Sequence, residues 1–185
     1  MIELRDLRDD DGELLFRWRR EPEVDRWMPG LPPDDPWVHQ RWFASYRSDP
    51  EERRGWIITV DGEPCGFLAL TGLSGPHRRG EWGWFIGEAP ARGRGAGRAA
   101  QALGLDLAFG ELGLEKVWSE ILADNEIALR AQAGAGFRRE GYLRRHVIKG
   151  GAFRDVVVLG LLKEEWAERR EAARRELARS GLIAA

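Results

Sequence analysis

Glu81-Trp82-Gly83-Trp84-Phe85-Ile86 leads into Ala89 to Gly97, which holds the run Arg92-Gly93-Arg94-Gly95-Ala96-Gly97-Arg98, and past it Ala99, Leu103 and Leu107 recur four residues apart. A strand, a glycine-rich loop and an amphipathic helix therefore follow one another. Glycines let successive backbone N–H groups turn into one concavity, the helix adds its positive N-terminal pole, and Arg92, Arg94 and Arg98 add full charge. That combination describes a cradle for a pyrophosphate; the plain alternative is a glycine turn that only starts a helix. A Walker-type loop is excluded, because Gly97 is followed by Arg98-Ala99 and not by Lys-Ser/Thr. A dinucleotide fold needs a parallel βαβ unit, and the segments on both sides of this loop read as antiparallel hairpins.

Upstream, Trp56 to Val60 and Cys65 to Leu73 flank Asp61-Gly62, a pair that tolerates the positive φ angles of a tight type I′ hairpin. Residues 2–7 alternate apolar and polar as a short strand, and Asp9 to Asp11 offer N-cap carboxylates to a helix that runs to about Arg20 and is closed by Pro22. After a loop of prolines and acids (Pro29, Pro32, Pro33, Asp34, Asp35, Pro36), Trp37, Arg41, Trp42 and Tyr46 recur at helical spacing. Downstream, Lys116 to Leu122 is a strand, Asn125 to Ala135 a short helix, and Phe137 to Val147 and Phe153 to Leu162 are strands around the Gly150-Gly151 turn. Glu164 to Arg179 alternates acid and base, with Glu165/Arg169 and Glu171/Arg175 at i,i+4, the pattern of a solvated helix. The expected fold is α+β with a mostly antiparallel sheet.

The 185 residues are 43% hydrophobic, enough for a globular domain with a core. Against 31 acids stand 29 basic residues, giving a net charge of −2, so no global basic field exists to hold nucleic acid or an anionic membrane. Any anion site must be local. Cys65 is the single cysteine, which excludes an internal disulfide and a cysteine zinc site and makes the cytoplasm the expected compartment. Met1 to Asp6 lacks the regions of a signal peptide, and the apolar run Val156 to Leu162 is too short to cross a bilayer. His39, His77 and His146 have no spacing that suggests a metal site.

With these elements in order, the chain resembles the GNAT acetyltransferase superfamily. Its loop pattern, Arg/Gln-x-x-Gly-x-Gly/Ala, is matched by Arg92, Gly95 and Gly97. Glu81 to Ile86 looks like the strand before that loop, Asn125-x-x-Ala-x-Arg like the helix after it, and Gly136-Phe137-x-x-Glu-Gly like the turn into the last strands. Asp155 to Leu162 resembles the closing strand of the branch that holds ribosomal-protein N-terminal, spermidine and nucleotide-amino-sugar acetyltransferases, while Trp18 to Val24 and His39-x-x-Trp42-Phe43 look most like the amino-sugar members. The resemblance spans residues 2–166. It implies a splayed seven-strand sheet with helices on both faces, residues 1–162 forming the acetyltransferase domain and 163–185 a charged helix and tail of that domain.

The resemblance further implies direct transfer from acetyl-CoA to a primary amine, without an acyl-enzyme or a metal. Phe85 and Ile86 would pair with the pantetheine. Gly93, Arg94, Gly95, Ala96 and Gly97 would hold the pyrophosphate, with Arg92, Arg98, Asn125 and Arg130 assisting. Glu81 is the candidate base, read as buried beside Trp82 and Trp84; its plain alternative is a surface strand glutamate pairing with Arg78 or Arg79. The position five residues before Phe137, where many members carry a tyrosine acid, is Gln132, which leaves Tyr142 as the candidate acid; a ring packed on its strand is the alternative. Asn125 suits a hydrogen bond at the thiol or a helix cap. Cys65 reads as a buried apolar residue, Asp34 and Asp35 as a lure for a cationic amine or a helix start, and Trp27, Trp37 and Trp42 as acceptor walls or core. The expected acceptor is a small amine, an amino-sugar first, with a protein N-terminus or a catalytically weak acetyl-CoA-binding module as alternatives, and a homodimer is implied by resemblance alone.

Overall fold

A computed structural model describes residues 1–30 and 34–184. Its elements are β1 (Ile2–Asp6), α1 (Asp11–Arg20), α2 (Pro22–Asp25), α3 (Pro36–Ser48), β2 (Arg53–Val60), β3 (Glu63–Thr71), β4 (Arg79–Ile86), α4 (Ala96–Asp106), β5 (Lys116–Leu122), α5 (Glu126–Ala135), β6 (Arg138–Lys149), β7 (Ala152–Leu162) and α6 (Lys163–Arg179). Pro32 and Pro33 of the proline-rich loop lie outside the described residues. One seven-stranded sheet has the order β1-β2-β3-β4-β5-β7-β6, antiparallel at every junction except β4 with β5. This is the expected α+β architecture. Asp61 at φ 52° and Gly62 at φ 86° make the β2–β3 turn as their sequence predicts.

The two sheet faces carry separate cores. Against one pack α1 and α3, where Leu15, Trp18, Phe43 and Tyr46 meet Ile57, Phe67 and Ala69. Against the other pack α4, α5 and α6, where Ala99, Ala100 and Leu105 meet Leu68, Leu70, Val117 and Ile121. Small residues let α4 lie close to the sheet: a Cβ at Gly104 would stand 2.6 Å from Leu68 Cδ1, and one at Gly97 2.7 Å from the Trp84 ring. The helix ends in a wide turn at Leu107–Glu111.

Two local readings change. Asp10 sits at the N-cap of α1 without a side-chain cap bond. Asp11, 3% exposed, instead binds the Arg5 guanidinium through both oxygens at 2.7 Å and accepts from the Arg8 amide at 2.7 Å, because the strand-to-helix corner folds Arg5 onto it. The second change concerns α6, which is more than a solvated helix. It buries Trp166 and Leu177, and Asp106 at the end of α4 accepts from the Trp166 indole at 3.0 Å, Arg170 at 2.6 Å and Arg174 at 2.7 Å. Glu171 and Arg175 pair as expected at 3.2 Å, but Glu165 turns to the Leu162 amide and Arg138.

Asp11→Ala should lower unfolding stability by about 3 kcal/mol, since it strands a partly buried guanidinium and an amide at once. Urea denaturation at neutral pH measures the shift.

Candidate active site

β4 and β5 are paired only at Arg79–Lys116, Gly80–Val117 and Glu81–Trp118. From Trp82 to Ile86, β4 stays paired with β3 but has no partner on its β5 side, so the sheet forks where the sequence resemblance placed a splay. A cavity of about 660 Å³ fills the fork and is lined by β4 residues 81–86, β5 residues 119–121, the loop at 91–93 and the start of α5. Alternation along β4 divides its walls. Trp82 and Trp84 belong to the core under α4, whereas Phe85 joins the core under α1 and α3. Glu81 shares the parity of Phe85, so the tryptophans expected beside it lie on the opposite face of the strand.

On the face toward α1 and α3, half-buried Glu81 has its pKa raised first by burial and then by the charge of Glu120, which also lines the cavity. His146 Nε2 stands 3.8 Å from Glu120. Tyr46, 8% exposed, projects from α3 into the same space, with its phenol raised by burial and subject to the charges of Arg53, Arg19 and Glu81. The Arg19 guanidinium lies 4.3 Å from the Trp42 ring centre, and burial lowers its pKa. No carboxylate among the described residues is bonded to it. Glu23, Trp27 and Trp42 complete the walls, whereas Trp37 is 64% exposed and stays outside. Asp35 caps α3 through the Trp37 amide at 2.8 Å, and Asp34 pairs loosely with Arg20.

On the α4 side, Gly93 and Gly95 take φ values of 73° and 87°. Gly95 is the N-cap of α4 with no side-chain cap bond, so the first-turn amides of residues 96–98 are left to an anion. That arrangement fits a pyrophosphate. The arginines are used differently from expectation. Arg92 donates to the carbonyls of Ile86 at 3.0 Å and Gly87 at 2.7 Å, bracing the end of β4 against the loop. Arg98 pairs with Glu176 at 2.8 Å, and only exposed Arg94 has no bonded partner among the described residues. Asn125 caps α5 by accepting from the Ala128 amide at 3.1 Å and also lines the cavity. Two more cavity-lining groups, Ser119 Oγ and Gln132 Oε1, are buried without any hydrogen-bond partner. Such orphans suit a ligand rich in amides and a thioester.

Of the expected residues, Arg94 and Ala96 line a neighbouring groove and not the fork, and Arg130 and Tyr142 are brought to neither. Arg130 pairs with Glu126 at 3.0 Å on the outer face of α5, one helical turn from it. Tyr142 is 44% exposed on β6 and donates its hydroxyl to Asp155 at 2.6 Å, away from the cavity lining. Buried Cys65, its thiol pushed up to about 11 by burial, is no nucleophile at neutral pH.

Residues 2–138 match the family model for the acetyltransferase (GNAT) domain. The chain belongs to this family. Acetyl-CoA is accordingly its co-substrate. Spermidine N(1)-acetyltransferase of Escherichia coli is 26% identical over 89% of this chain and 85% of that protein. An uncharacterized N-acetyltransferase of Bacillus subtilis is 30% identical over 88% of this chain and 94% of its own length. Among solved structures, spermidine N-acetyltransferase from Vibrio cholerae in complex with CoA and spermine superposes with a TM-score of 0.83 at 20% identity, over 90% of this chain and 98% of that one. RimJ of Mycobacterium smegmatis in complex with CoA-disulfide gives 0.80 at 25% identity, over 97% of this chain and 89% of that one.

Glu120, Tyr46, Arg19 and Ser119 line the site without a signal strong enough to have marked them in the sequence. Glu120 was legible in principle, because strand alternation puts it two residues from Trp118, the partner of Glu81. The other three depend on how α1, α3 and β5 come together in space.

Gly97→Val should weaken CoA binding by at least tenfold, since a Cβ there drives the first turn of α4 off the Trp84 ring and misdirects its amides. Titration calorimetry against wild type checks this.

Proposed function

We propose that this enzyme acetylates a primary amine of a small polycation, with Glu81 taking the proton. The observation that carries this reading is the pair of carboxylates, Glu81 and Glu120, on the acceptor side of the fork. An alkylamine of pKa about 10.4 arrives protonated, and two carboxylates with Glu23 at the rim favour that cation. The raised proton affinity of Glu81 then equips it to accept the amine proton, directly or through water. The neutral nitrogen attacks the thioester carbonyl, the carbon–sulfur bond breaks with its electron pair left on sulfur, and the second proton shed by the nitrogen as it becomes an amide passes to the thiolate or to water. A thiol pKa near 8.5 lets thiolate depart without a protein acid. Asn125 and the Gln132 amide supply neutral hydrogen-bonding groups on that side, and neither ionises. The relatives named for their acceptor are spermidine acetyltransferases, which favours a polyamine over the amino-sugar expected from residues 18–24.

Glu81→Gln keeps shape but removes the base, so turnover with spermidine should fall by about 10²- to 10⁴-fold with CoA affinity unchanged. Glu120→Gln should leave the base in place and remove the like charge that raises its pKa, so the acidic limb of the pH–rate profile moves to lower pH. A profile whose limb is unmoved in both variants contradicts the role given to Glu81.

Arg19 favours a second reading, in which a peptide N-terminus is the acceptor and its carbonyls or an acidic side chain meet the guanidinium. Arg19→Met separates the two. For a polycationic acceptor the loss of a repelling charge should raise kcat/KM severalfold, and for a peptide it should lower kcat/KM by about tenfold or more. A panel of spermidine and short peptides, read by release of free thiol, gives the answer.

A further inference from the structure

Gly95 is the pivot of the cofactor loop, and what holds it comes from the far end of the chain. A Cβ built on Gly95 would lie 2.6 Å from Leu182 Cδ1, so the leucine side chain rests on the α-carbon whose φ of 87° turns the loop into α4. This changes the reason for a glycine there: the space beside its α-carbon is taken by the protein's own tail. Leu182 is itself fixed on both sides. Its carbonyl accepts from the Ile2 amide at 2.6 Å, and its amide donates to the Leu177 carbonyl at 2.9 Å. Gly181, at φ 66°, makes the turn out of α6, and Ile183 beyond it is 5% exposed. Along the helix, Arg98 of α4 pairs with Glu176 at 2.8 Å, and Asp106 ties the other end of α4 to Arg170 and Arg174. The family match covers residues 2–138, so Gly95, Arg98 and Asp106 lie inside it while α6 and Leu182 lie beyond it.

We infer that the tail 181–183 is a positioning element for acetyl-CoA, acting through Leu182 on Gly95. The uncapped amides of residues 96–98 point wherever Gly95 directs the first turn of α4, and Leu182 removes the freedom that a glycine would otherwise have at that pivot. The inference rests on the loop being the pyrophosphate site. Linkage then requires reciprocity: a tail that promotes CoA binding must itself be held more tightly when CoA is bound, by the same factor.

Two measurements on the full chain test this. In the first, calorimetric CoA affinity and the KM for acetyl-CoA are compared in Leu182→Ala and wild type, with Leu182→Met as the volume-restoring control. The expected result is an affinity about tenfold weaker in Leu182→Ala, kcat at saturating acetyl-CoA within about twofold of wild type, and recovery in Leu182→Met. In the second, hydrogen exchange of the Ile2 amide, whose acceptor is the Leu182 carbonyl, should slow about tenfold when CoA is added to wild type. If Gly97→Val weakens CoA binding while Leu182→Ala does not, or if Ile2 exchange ignores CoA, the tail has no positioning role and the loop assignment stands. If both variants bind CoA as wild type does, the loop assignment fails and the inference with it.

Discussion

Everything functional in this molecule follows from how short the parallel contact between β4 and β5 is. Three residue pairs hold the two halves of the sheet together, and the strands then part. A parted sheet leaves one edge of β4 unpaired, and unpaired backbone groups in a protein interior must find partners. Part of the solution is internal, since Arg92 takes the carbonyls of Ile86 and Gly87. The remaining length of the edge, from Trp82, is free for an extended ligand bearing its own amides. The direct transfer proposed above uses such a fork, because the acceptor amine reaches the donor's thioester carbon from the other side of the sheet.

The two sides of the fork differ in chemical character, and strand alternation is the reason. Odd positions of β4 bring Glu81 to the face shared with Tyr46 and the half-buried Arg19, and β5 brings Glu120 there. Even positions bring Trp82, stacked on Phe137 at 5.2 Å, and Trp84, packed beneath α4. Charge is thus concentrated on the side where the proposed reaction binds and deprotonates its amine. Neutral groups stand on the other side: Ser119 and Gln132 hold the orphaned atoms, and Asn125 caps α5 beside them.

How much of this could be read beforehand divides along physical lines. Local signals carried their elements: Asp61-Gly62 specified its turn, Gly95 and Gly97 their loop, and Asn125 its cap. The fold followed because each of those signals concerns residues within one turn or hairpin. What most individual side chains bond to was not legible, near in the chain or far, because it depends on how the segments close in space. Arg92 and Arg98 look like phosphate ligands in the sequence, yet one braces β4 and the other meets Glu176, 78 residues on. Tyr142 looked suitable by residue type alone, and its strand carries it to Asp155 on the outer surface. α6 reads as solvated because its two buried anchors, Trp166 and Leu177, are sparse among charges, and the role of Asp106 as acceptor for Trp166, Arg170 and Arg174 appears only once α4 and α6 lie side by side.

The loop has a second hollow behind it, a groove of about 700 Å³ bounded by Ile2, Cys65, Arg94 and Leu182, which shares Ala91 with the fork. The most direct test of the account is therefore a crystal structure with CoA bound. The fork requires the pantetheine to run along β4 between Trp82 and Ile86, its sulfur near Asn125 and its pyrophosphate on the amides of residues 96–98. A pantetheine seated in the groove behind the loop, with the β4 edge still bare, would contradict it.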